Sequence, residues 1–229
     1  MAITKQEQPH LSTPVPEGAT MAERAYLELR DRIVELRIPP GALVREEEVM
    51  NDLKMSRTPV REALLRLTQE HLVMVLPRRG TFVTEVEAAD IQNITEVRAE
   101  LEAYGAELAA NRLDPETRAK GEELLREIEE LDGGGDQERL MRFDESIHRF
   151  TWEAARNPHL TQTLERYFTH SLRIWYLVLD RVPTLGHAVH DQTQLLEAIL
   201  DRNGPHARTI MHEHVLAFQR EILGAFSRR

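Results

Sequence analysis

The feature that most constrains the fold is a change in sequence periodicity near Glu87. From there to the end of the chain, apolar residues recur every three or four positions, a spacing that predicts amphipathic helices. Proline, glycine and asparagine cluster between these segments, where they end helices and turn the chain. The predicted helices cover residues 88–111, 115–131, 136–156, 158–181, 187–202 and 205–227. Residues 86–229 are therefore expected to form an all-α helical bundle.

The elements before Glu87 are shorter and more varied. Helical spacing predicts three short helices, and two β-type runs joined by a basic turn follow them. These five elements cover residues 21–36, 46–53, 57–70, 72–76 and 81–85. Ser56 is the expected N-cap of the third helix. Three helices and a two-stranded wing predict a winged helix-turn-helix domain over 21–85, so the fold class is mainly α.

The composition excludes several classes of protein. Residues 1–20 lack the apolar core of a signal peptide, and their Pro, Gln and Glu content predicts a disordered tail. The chain is 41% hydrophobic and 30% charged, as in soluble globular proteins, and no apolar run is long enough to span a bilayer. It has no cysteine, which excludes disulfides and thiol catalysis and suits a reducing cytoplasm.

The net charge of −10 is unevenly distributed along the chain. Residues 85–229 carry 17 Lys and Arg against 27 Asp and Glu, whereas residues 54–81 carry six against two. A basic patch on an otherwise acidic chain indicates that one end of the protein binds a polyanion. For a winged helix-turn-helix domain, that polyanion is double-stranded DNA.

The start of the third helix carries the expected DNA contacts. Arg57 and Arg61 are four residues apart and share a helical face, which would read base edges in the major groove. Ser56 and Thr58 are placed to bond phosphates together with the helix N-terminal amides. The alternative is that these arginines form the solvated face of an ordinary small domain, and charge alone does not separate the two interpretations.

The turn of the hairpin is also basic. Arg78 and Arg79 lie at its tip, where Gly80 permits a tight turn. Their side chains would follow the DNA backbone or enter the minor groove.

Three blocks of sequence stand out in this region, LRIPPG at 36–41, SRTPVREALLRL at 56–67 and PRRGTFV at 77–83. In their order and spacing they resemble the GntR family of bacterial transcription regulators. The resemblance implies DNA contacts by Arg57, Thr58 and Arg61 and a wing glycine at Gly80. The chain departs from the family pattern at Glu47, where many relatives have an arginine in the second helix.

The bundle contains a spacing that suits a metal ion. Asp144 and His148 are four residues apart on one predicted helix, so a carboxylate and an imidazole share a face and can share an ion. The apolar residues Phe143, Ile147 and Phe150 lie around the same side of the helix. Asp144 and His148 are therefore expected to face the interior of the bundle. The alternative is an exposed salt link. His214 in the last helix adds a second imidazole.

Residues 88–220 resemble the effector domain of the FadR-like subfamily, the FCD bundle. The resemblance implies that Asp144, His148 and His214 are three of four metal ligands and that a small organic acid is the effector. One oxygen and two nitrogens suit zinc, nickel or another first-row divalent ion. Gln192 stands where the remaining histidine is expected, and His190 is the other candidate for that position. Either His190 or water and effector oxygen complete the shell, or the polar groups bind the acid directly without an ion.

Arg98 lies on the inner face of the first predicted helix of the bundle, where an unpaired guanidinium would be costly to bury. Either it forms a salt bridge with Glu102, four residues on, or its planar fork binds the effector carboxylate.

Together these features predict a bacterial DNA-binding transcription regulator. We expect a homodimer on a palindromic operator, with operator binding modulated by a small carboxylate in a metal-containing bundle. One alternative is a metal-dependent, hydrolase-like enzyme with an attached DNA-binding module, in which the ion activates water. No general-base or nucleophile motif accompanies the ligands, so enzyme activity is not expected. The other alternative is an architectural DNA-binding dimer without an effector.

Overall fold

The computed structural model of the chain describes residues 15–129, 137–179 and 186–226. The chain forms two compact units that divide between Val86 and Glu87. We call them unit 1 and unit 2 and describe each by itself. The mainly α fold class predicted from the sequence is confirmed, with a small sheet in unit 1 and only helices among the described elements of unit 2. The predicted tail lies outside the described residues as far as residue 14.

Unit 1 contains three helices and three short strands. In chain order they are α1 (Met21–Val34), β1 (Leu43–Val44), α2 (Glu46–Leu53), α3 (Arg57–Gln69), β2 (Val73–Leu76) and β3 (Gly80–Val83). The Thr20 side chain caps α1 by accepting a hydrogen bond from the Glu23 amide at 3.1 Å. Apolar residues of all three helices meet the sheet in one core, in which Leu29, Ile33 and Leu67 are fully buried.

The sheet has three strands, one more than the sequence predicts. Its order is β1-β3-β2, and both pairings are antiparallel. In the wing, Val73 pairs with Val83 and Leu76 with Gly80. The prediction missed β1 because a two-residue strand shows no alternation, and its pairing with β3, Leu43 with Phe82 and Val44 with Thr81, defines it.

Unit 2 contains six helices among its described residues. They are α4 (Ala88–Arg112), α5 (Pro115–Glu129), α6 (Gln137–Ala155), α7 (Pro158–Val178), α8 (Gly186–Leu200) and α9 (Gly204–Phe226). The predicted bounds of α4 and the predicted start of α9 agree within one residue, and the predicted α1 was two residues too long. The predicted helix limits at 131, 136, 181 and 227 lie outside the described residues.

Helix α4 is the central helix of unit 2. It packs against α6, α7, α8 and α9. Small buried residues such as Ala99, Ala103 and Ala106 let its neighbours approach closely. Two charged residues of α4, Arg98 and Glu102, are buried as well, which places a polar site inside this otherwise apolar packing. Among the described residues no helix is both long enough and apolar enough to cross a membrane.

Candidate DNA interface and candidate metal centre

The N-terminus of α3 presents all of its sequence-predicted DNA contacts to solvent. Ser56 occupies the N-cap in an extended conformation, but its hydroxyl makes no capping hydrogen bond to α3. Ser56, Arg57, Thr58 and Arg61 are exposed. Because the cap hydroxyl is not used within the helix, the hydroxyl and the first amides of α3 remain available to an incoming anion.

Helix α2 brings acidic groups beside this surface. Its first turn is Glu46-Glu47-Glu48, and Oε2 of Glu46 lies 3.7 Å from Nε of Arg61. Arg61 is exposed and Glu46 half-buried, so the pair contributes little to stability and leaves Arg61 able to exchange partners. Glu47 is exposed, and its negative charge disfavours a phosphate at that position.

The wing carries the other predicted contacts. Arg78 adopts a left-handed conformation with φ of 63°, and Gly80 follows with φ of 110°. A Cβ atom at Gly80 would lie 2.9 Å from Cδ1 of Leu43, so both the backbone conformation and the space favour glycine. Arg78 and Arg79 are exposed, and the Arg79 guanidinium lies 5.7 Å from the centre of the Phe82 ring.

A buried tyrosine that the sequence analysis did not single out joins α1 to α3. The hydroxyl of Tyr26 donates a 2.8 Å hydrogen bond to Glu70, and the Arg66 guanidinium stacks 3.5 Å from the centre of its ring. Burial and the charge of Glu70 raise the pKa of Tyr26 to about 12. These contacts fix the direction in which α3 presents its N-terminus.

In unit 2, the structure brings Asp144, His148 and His214 together. Each offers one ligand atom, and these atoms all lie within 4.8 Å of one another. Nε2 of His148 is 3.7 Å from Oδ2 of Asp144, and Nε2 of His214 is 3.2 Å from Oδ1. Two ring nitrogens and a carboxylate thus converge from α6 and α9, a donor set that fits a first-row divalent metal.

The electrostatics of this cluster follow from its burial. Burial acts to raise the pKa of Asp144, but the charges of His148 and His214 outweigh it and hold that pKa well below its ordinary value. Burial likewise acts to lower the pKa of His214, but the hydrogen bond and charge of Asp144 raise it above the ordinary value. The carboxylate is therefore ionised and ready to bind a cation, while protons compete for His214.

Gln192 on α8 lies beside Asp144. The Gln192 side chain is buried, and its Nε2 donates a hydrogen bond to Oδ1 of Asp144. In this arrangement the amide orients a carboxylate ligand. The side chain of the other sequence candidate, His190, lies outside the described residues.

Arg98 forms the salt bridge that was one of its two predicted roles. Its Nη2 lies 3.0 Å from Oε1 of Glu102, and both side chains are buried. Its Nε has no hydrogen-bond partner among the described residues. Arg98 is also one of the residues that line the cavity next to Asp144 and His148.

The second oxygen of Glu102 faces α6. It accepts a 2.7 Å hydrogen bond from Nε1 of Trp152, and it lies 3.1 Å from Nδ1 of His148. Burial acts to raise the pKa of Glu102, but the charges of His148 and Arg98 together with the Trp152 hydrogen bond lower it to about 2. The sequence indicated Glu102 only as a partner of Arg98, because no local spacing connects it with His148 or Trp152.

A cavity of about 50 Å³ adjoins these groups. One water molecule needs roughly 10–15 Å³, so the cavity admits a small polar group. Its polar lining comprises Arg98, Asp144, His148, Ser171, Asp191, His214 and Glu221. The remainder is apolar and includes Phe168, Leu172, Trp175 and Phe218. Ser171 and Asp191 belong to the lining although no sequence motif marked them.

Two family models match the chain. The FCD domain model matches residues 93–217, and the model for bacterial regulatory proteins of the gntR family matches residues 21–83. Together they cover most of both units.

Curated relatives match over most of their length. The chain is 29% identical over 200 residues to an uncharacterized HTH-type transcriptional regulator from an unstable DNA locus of Streptomyces ambofaciens, covering 87% of this chain and 84% of the relative. It is 25% identical over 196 residues to the HTH-type transcriptional repressor RspR of Escherichia coli K12, covering 84% of this chain and 85% of the relative. Both relatives are described as transcriptional regulators rather than as enzymes, so the enzyme alternative is not supported.

A solved structure supports the fold over both units. The E. coli McbR/YncC structure superimposes with a TM-score of 0.76 at 23% identity and covers 92% of this chain and 99% of that chain. At this identity the likeness shows the fold alone.

Proposed function

The chain belongs to the GntR family of bacterial regulatory proteins, and on this premise we propose that a small organic acid bound in unit 2 controls the binding of unit 1 to a DNA operator. In this proposal residues 21–85 bind DNA, residues 86–229 bind the effector and form a dimer, and the protein acts in the bacterial cytoplasm. The observation that carries it is the convergence of Asp144, His148 and His214 beside Arg98 in one cavity.

The proposed DNA surface consists of the N-terminus of α3 and the tip of the wing. Arg57 and Arg61 read base edges in the major groove, because both are exposed and one helical turn apart. Ser56 and Thr58 bind phosphates at the start of the same helix. The wing residues Arg78, Arg79 and Gly80 approach the backbone or the minor groove of the adjoining duplex.

The proposed metal ligands are Asp144, His148 and His214. Because the Gln192 amide donates to Asp144, we assign Gln192 the role of orienting this carboxylate rather than of binding the ion. When bound, zinc or nickel would supply positive charge and open coordination positions for water or the effector oxygens.

The proposed effector is a small carboxylate. Arg98 and Glu102 cancel each other's charge, so a divalent ion bound to the single charge of Asp144 would leave this ligand set net positive, while Asp191 and Glu221 add negative charge to the cavity lining. Nε of Arg98 adds a donor beside this centre. An anionic carboxylate would bind through open coordination positions of the ion, while the apolar side chains of the lining accommodate its carbon skeleton.

The proposed assembly is a homodimer on a palindromic operator. A single winged helix-turn-helix domain contacts a small stretch of DNA, whereas a two-fold pair binds two half-sites and gains affinity from the linkage. Sedimentation with and without operator DNA tests this assembly, and a monomer under both conditions would contradict it.

The metal and the effector are tested together on protein purified without an affinity tag. After incubation with zinc or nickel and dialysis, we expect stoichiometric metal in the wild type and its loss in His148→Ala and His214→Ala. His206→Ala is the matched control, because His206 is an exposed histidine on α9, and it should retain the metal. A wild-type protein that holds no stoichiometric metal with effector present shows that the metal assignment is wrong.

Effector response is measured as the change in operator affinity across a panel of small organic acids. Arg98→Lys keeps a positive charge beside Glu102 but removes the planar fork, so it should weaken the response without unfolding unit 2. If no acid changes the operator affinity of the metal-loaded wild type, the architectural DNA-binding dimer becomes the better account.

A further inference from the structure

Glu102 connects the candidate metal centre with Arg98. Its carboxylate is fully buried at the middle of α4. Oε1 pairs with Nη2 of Arg98 at 3.0 Å, and Oε2 accepts from Nε1 of Trp152 at 2.7 Å and faces Nδ1 of His148 at 3.1 Å. One carboxylate therefore contacts a helix neighbour and two side chains of α6.

We propose that Glu102 is a positioning residue, which keeps the proton of neutral His148 on Nδ1 and thereby leaves Nε2 free to bind a metal ion. The effect of Glu102 on metal binding rests on the proposed metal centre. The position of the proton on His148 does not, because it can be measured in the metal-free protein. A neutral imidazole carries one proton, so placing it on one ring nitrogen makes the other nitrogen an acceptor.

The geometry favours the proton on Nδ1. Were it on Nε2, the lone pair of Nδ1 would lie 3.1 Å from an ionised oxygen of Glu102, which is repulsive in a buried site. The competing acceptor is Oδ2 of Asp144, but its 3.7 Å distance from Nε2 exceeds that of a hydrogen bond. Oδ1 of Asp144 is occupied by Gln192 and His214.

The surroundings hold both partners in place. The Trp152 indole and the Arg98 guanidinium fix the two oxygens of Glu102, so the carboxylate cannot rotate away from His148. The His148 ring packs 5.0 Å from the ring of Phe168, centre to centre. Nδ1 of His148 makes no hydrogen bond of normal geometry among the described residues, so Glu102 acts on it chiefly through charge. Carboxylates behind histidine ligands commonly set the tautomer and the basicity of the metal-binding nitrogen.

Nitrogen-15 NMR of the metal-free protein tests the proton position directly. At a pH where His148 is neutral, its signals, assigned by their loss in His148→Ala, should report a proton on Nδ1. In Glu102→Gln the carboxylate charge is gone, so the population should move toward the Nε2 proton form of free histidine. A wild-type spectrum with the proton on Nε2 overturns the inference, and so does an unchanged spectrum in Glu102→Gln.

Zinc titration, with zinc alone as the ligand, tests the consequence. Loss of such a carboxylate commonly lowers metal affinity by about 10–100-fold, and we expect this loss in Glu102→Gln. Glu100→Gln is the matched control on the same helix, because Glu100 is exposed and pairs with Arg208, and its affinity should equal that of the wild type. If the wild type binds zinc and Glu102→Gln binds it with the same affinity, the inference is overturned.

A second variant keeps the test valid if Glu102→Gln alone unfolds. Arg98→Met combined with Glu102→Gln removes both buried charges together. Replacing both partners of a buried ion pair destabilises a protein less than removing one of them. It should show the same tautomer shift and the same loss of zinc affinity. If the wild type binds no zinc yet carries the proton on Nδ1, the metal proposal fails and the role of Glu102 in placing the proton stands.

Discussion

The proposed binding residues of unit 1 and unit 2 differ in how far they are exposed to water. The proposed DNA-contacting residues of unit 1, such as Arg57 and Arg79, are solvent-exposed and lie in two short stretches of sequence. In unit 2, Glu102 is 0% and His148 2% exposed, and the polar groups of the centre come from α4, α6, α8 and α9. An extended polyanion needs an accessible surface, whereas a small ion or acid is held by groups that are shielded from water.

The difference also has an energetic side. Exposed ion pairs such as Arg45–Glu48 contribute about 0–1 kcal/mol, because water screens them and their side chains lose entropy on pairing. Breaking a buried pair by removing one partner leaves an uncompensated charge inside the protein and costs about 3–5 kcal/mol. The same residue types therefore serve exchangeable contacts in unit 1 and a fixed network in unit 2.

The largest expected effect is on the stability of unit 2. Glu102→Ala leaves Arg98 buried without its partner, so the free energy of unfolding should fall by about 3–5 kcal/mol. Denaturant unfolding followed by tryptophan fluorescence measures this, because both tryptophans, Trp152 and Trp175, lie in unit 2. In the control Glu100→Ala, which changes an exposed residue, the free energy of unfolding should fall by less than about 1 kcal/mol. Equal decreases in the two variants would show that the buried Glu102 stabilises unit 2 no more than an exposed glutamate does.

The next largest effect is on operator binding by unit 1. Arg57→Ala and Arg61→Ala should each weaken specific binding by about 1–3 kcal/mol, the scale of a lost bidentate base contact. The thermal midpoint should stay close to that of the wild type, since both side chains are exposed. Fluorescence anisotropy with operator DNA and with unrelated DNA separates the sequence-specific contribution to the binding free energy from the non-specific one. Unchanged operator affinity in both variants would mean that α3 does not read the bases.

A third expectation contrasts the pH dependence of the two units. The pKa of His214 is raised, so below that pKa a proton occupies the nitrogen that zinc needs. Zinc affinity should therefore fall as the pH falls through the raised pKa, by about tenfold per pH unit for each proton displaced. In unit 1 the arginines keep their charge over the same range. Zinc titrations at several pH values measure this, and a constant affinity from neutral to acidic pH would contradict it.

The same shift has the opposite effect on the metal-free protein. Because the folded-state pKa of His214 is raised, its pairing with Asp144 stabilises the fold fully below the ordinary histidine pKa and is lost as the pH rises through the raised value. Asp144→Asn should remove this dependence, and thermal unfolding without metal over the same pH series shows whether it does.

The smallest expected effect is at the wing. Arg79→Ala should weaken binding to operator and unrelated DNA alike. The slope of log affinity against log salt concentration should fall by about 1, the contribution of one phosphate contact. Anisotropy at several salt concentrations gives this slope. A loss confined to the operator sequence would instead mean that Arg79 reads the minor groove.

Much of unit 1 was predictable because its information is local. The three helices follow from apolar spacing and the wing from two β-type runs around Pro77–Gly80. The family resemblance read from the blocks at 36–41, 56–67 and 77–83 is confirmed by the family model over 21–83. The one missed element, β1, has two residues and exists through its pairing with β3.

Unit 2 was predictable only in part. The four-residue spacing of Asp144 and His148 placed them on one face, and that of Arg98 and Glu102 gave their salt bridge as one of two predicted roles of Arg98. Spacing did not predict that Glu102 also reaches His148 and Trp152, or that Gln192 bonds to Asp144. These contacts join residues about fifty positions apart and depend on how α4, α6 and α8 pack.

The amino-acid sequence by itself determined the succession of helices, the fold class and the exposed basic residues, because helix formation, chain breaks and local charge depend on neighbours along the chain. Only the tertiary structure decided which buried polar groups meet. Oε2 of Glu102 faces Nδ1 of His148 because two helices distant in sequence pack at one rotation and one height relative to each other. The packing of the whole apolar core sets this orientation of the helices, and that core is built from residues of many separate segments of the sequence.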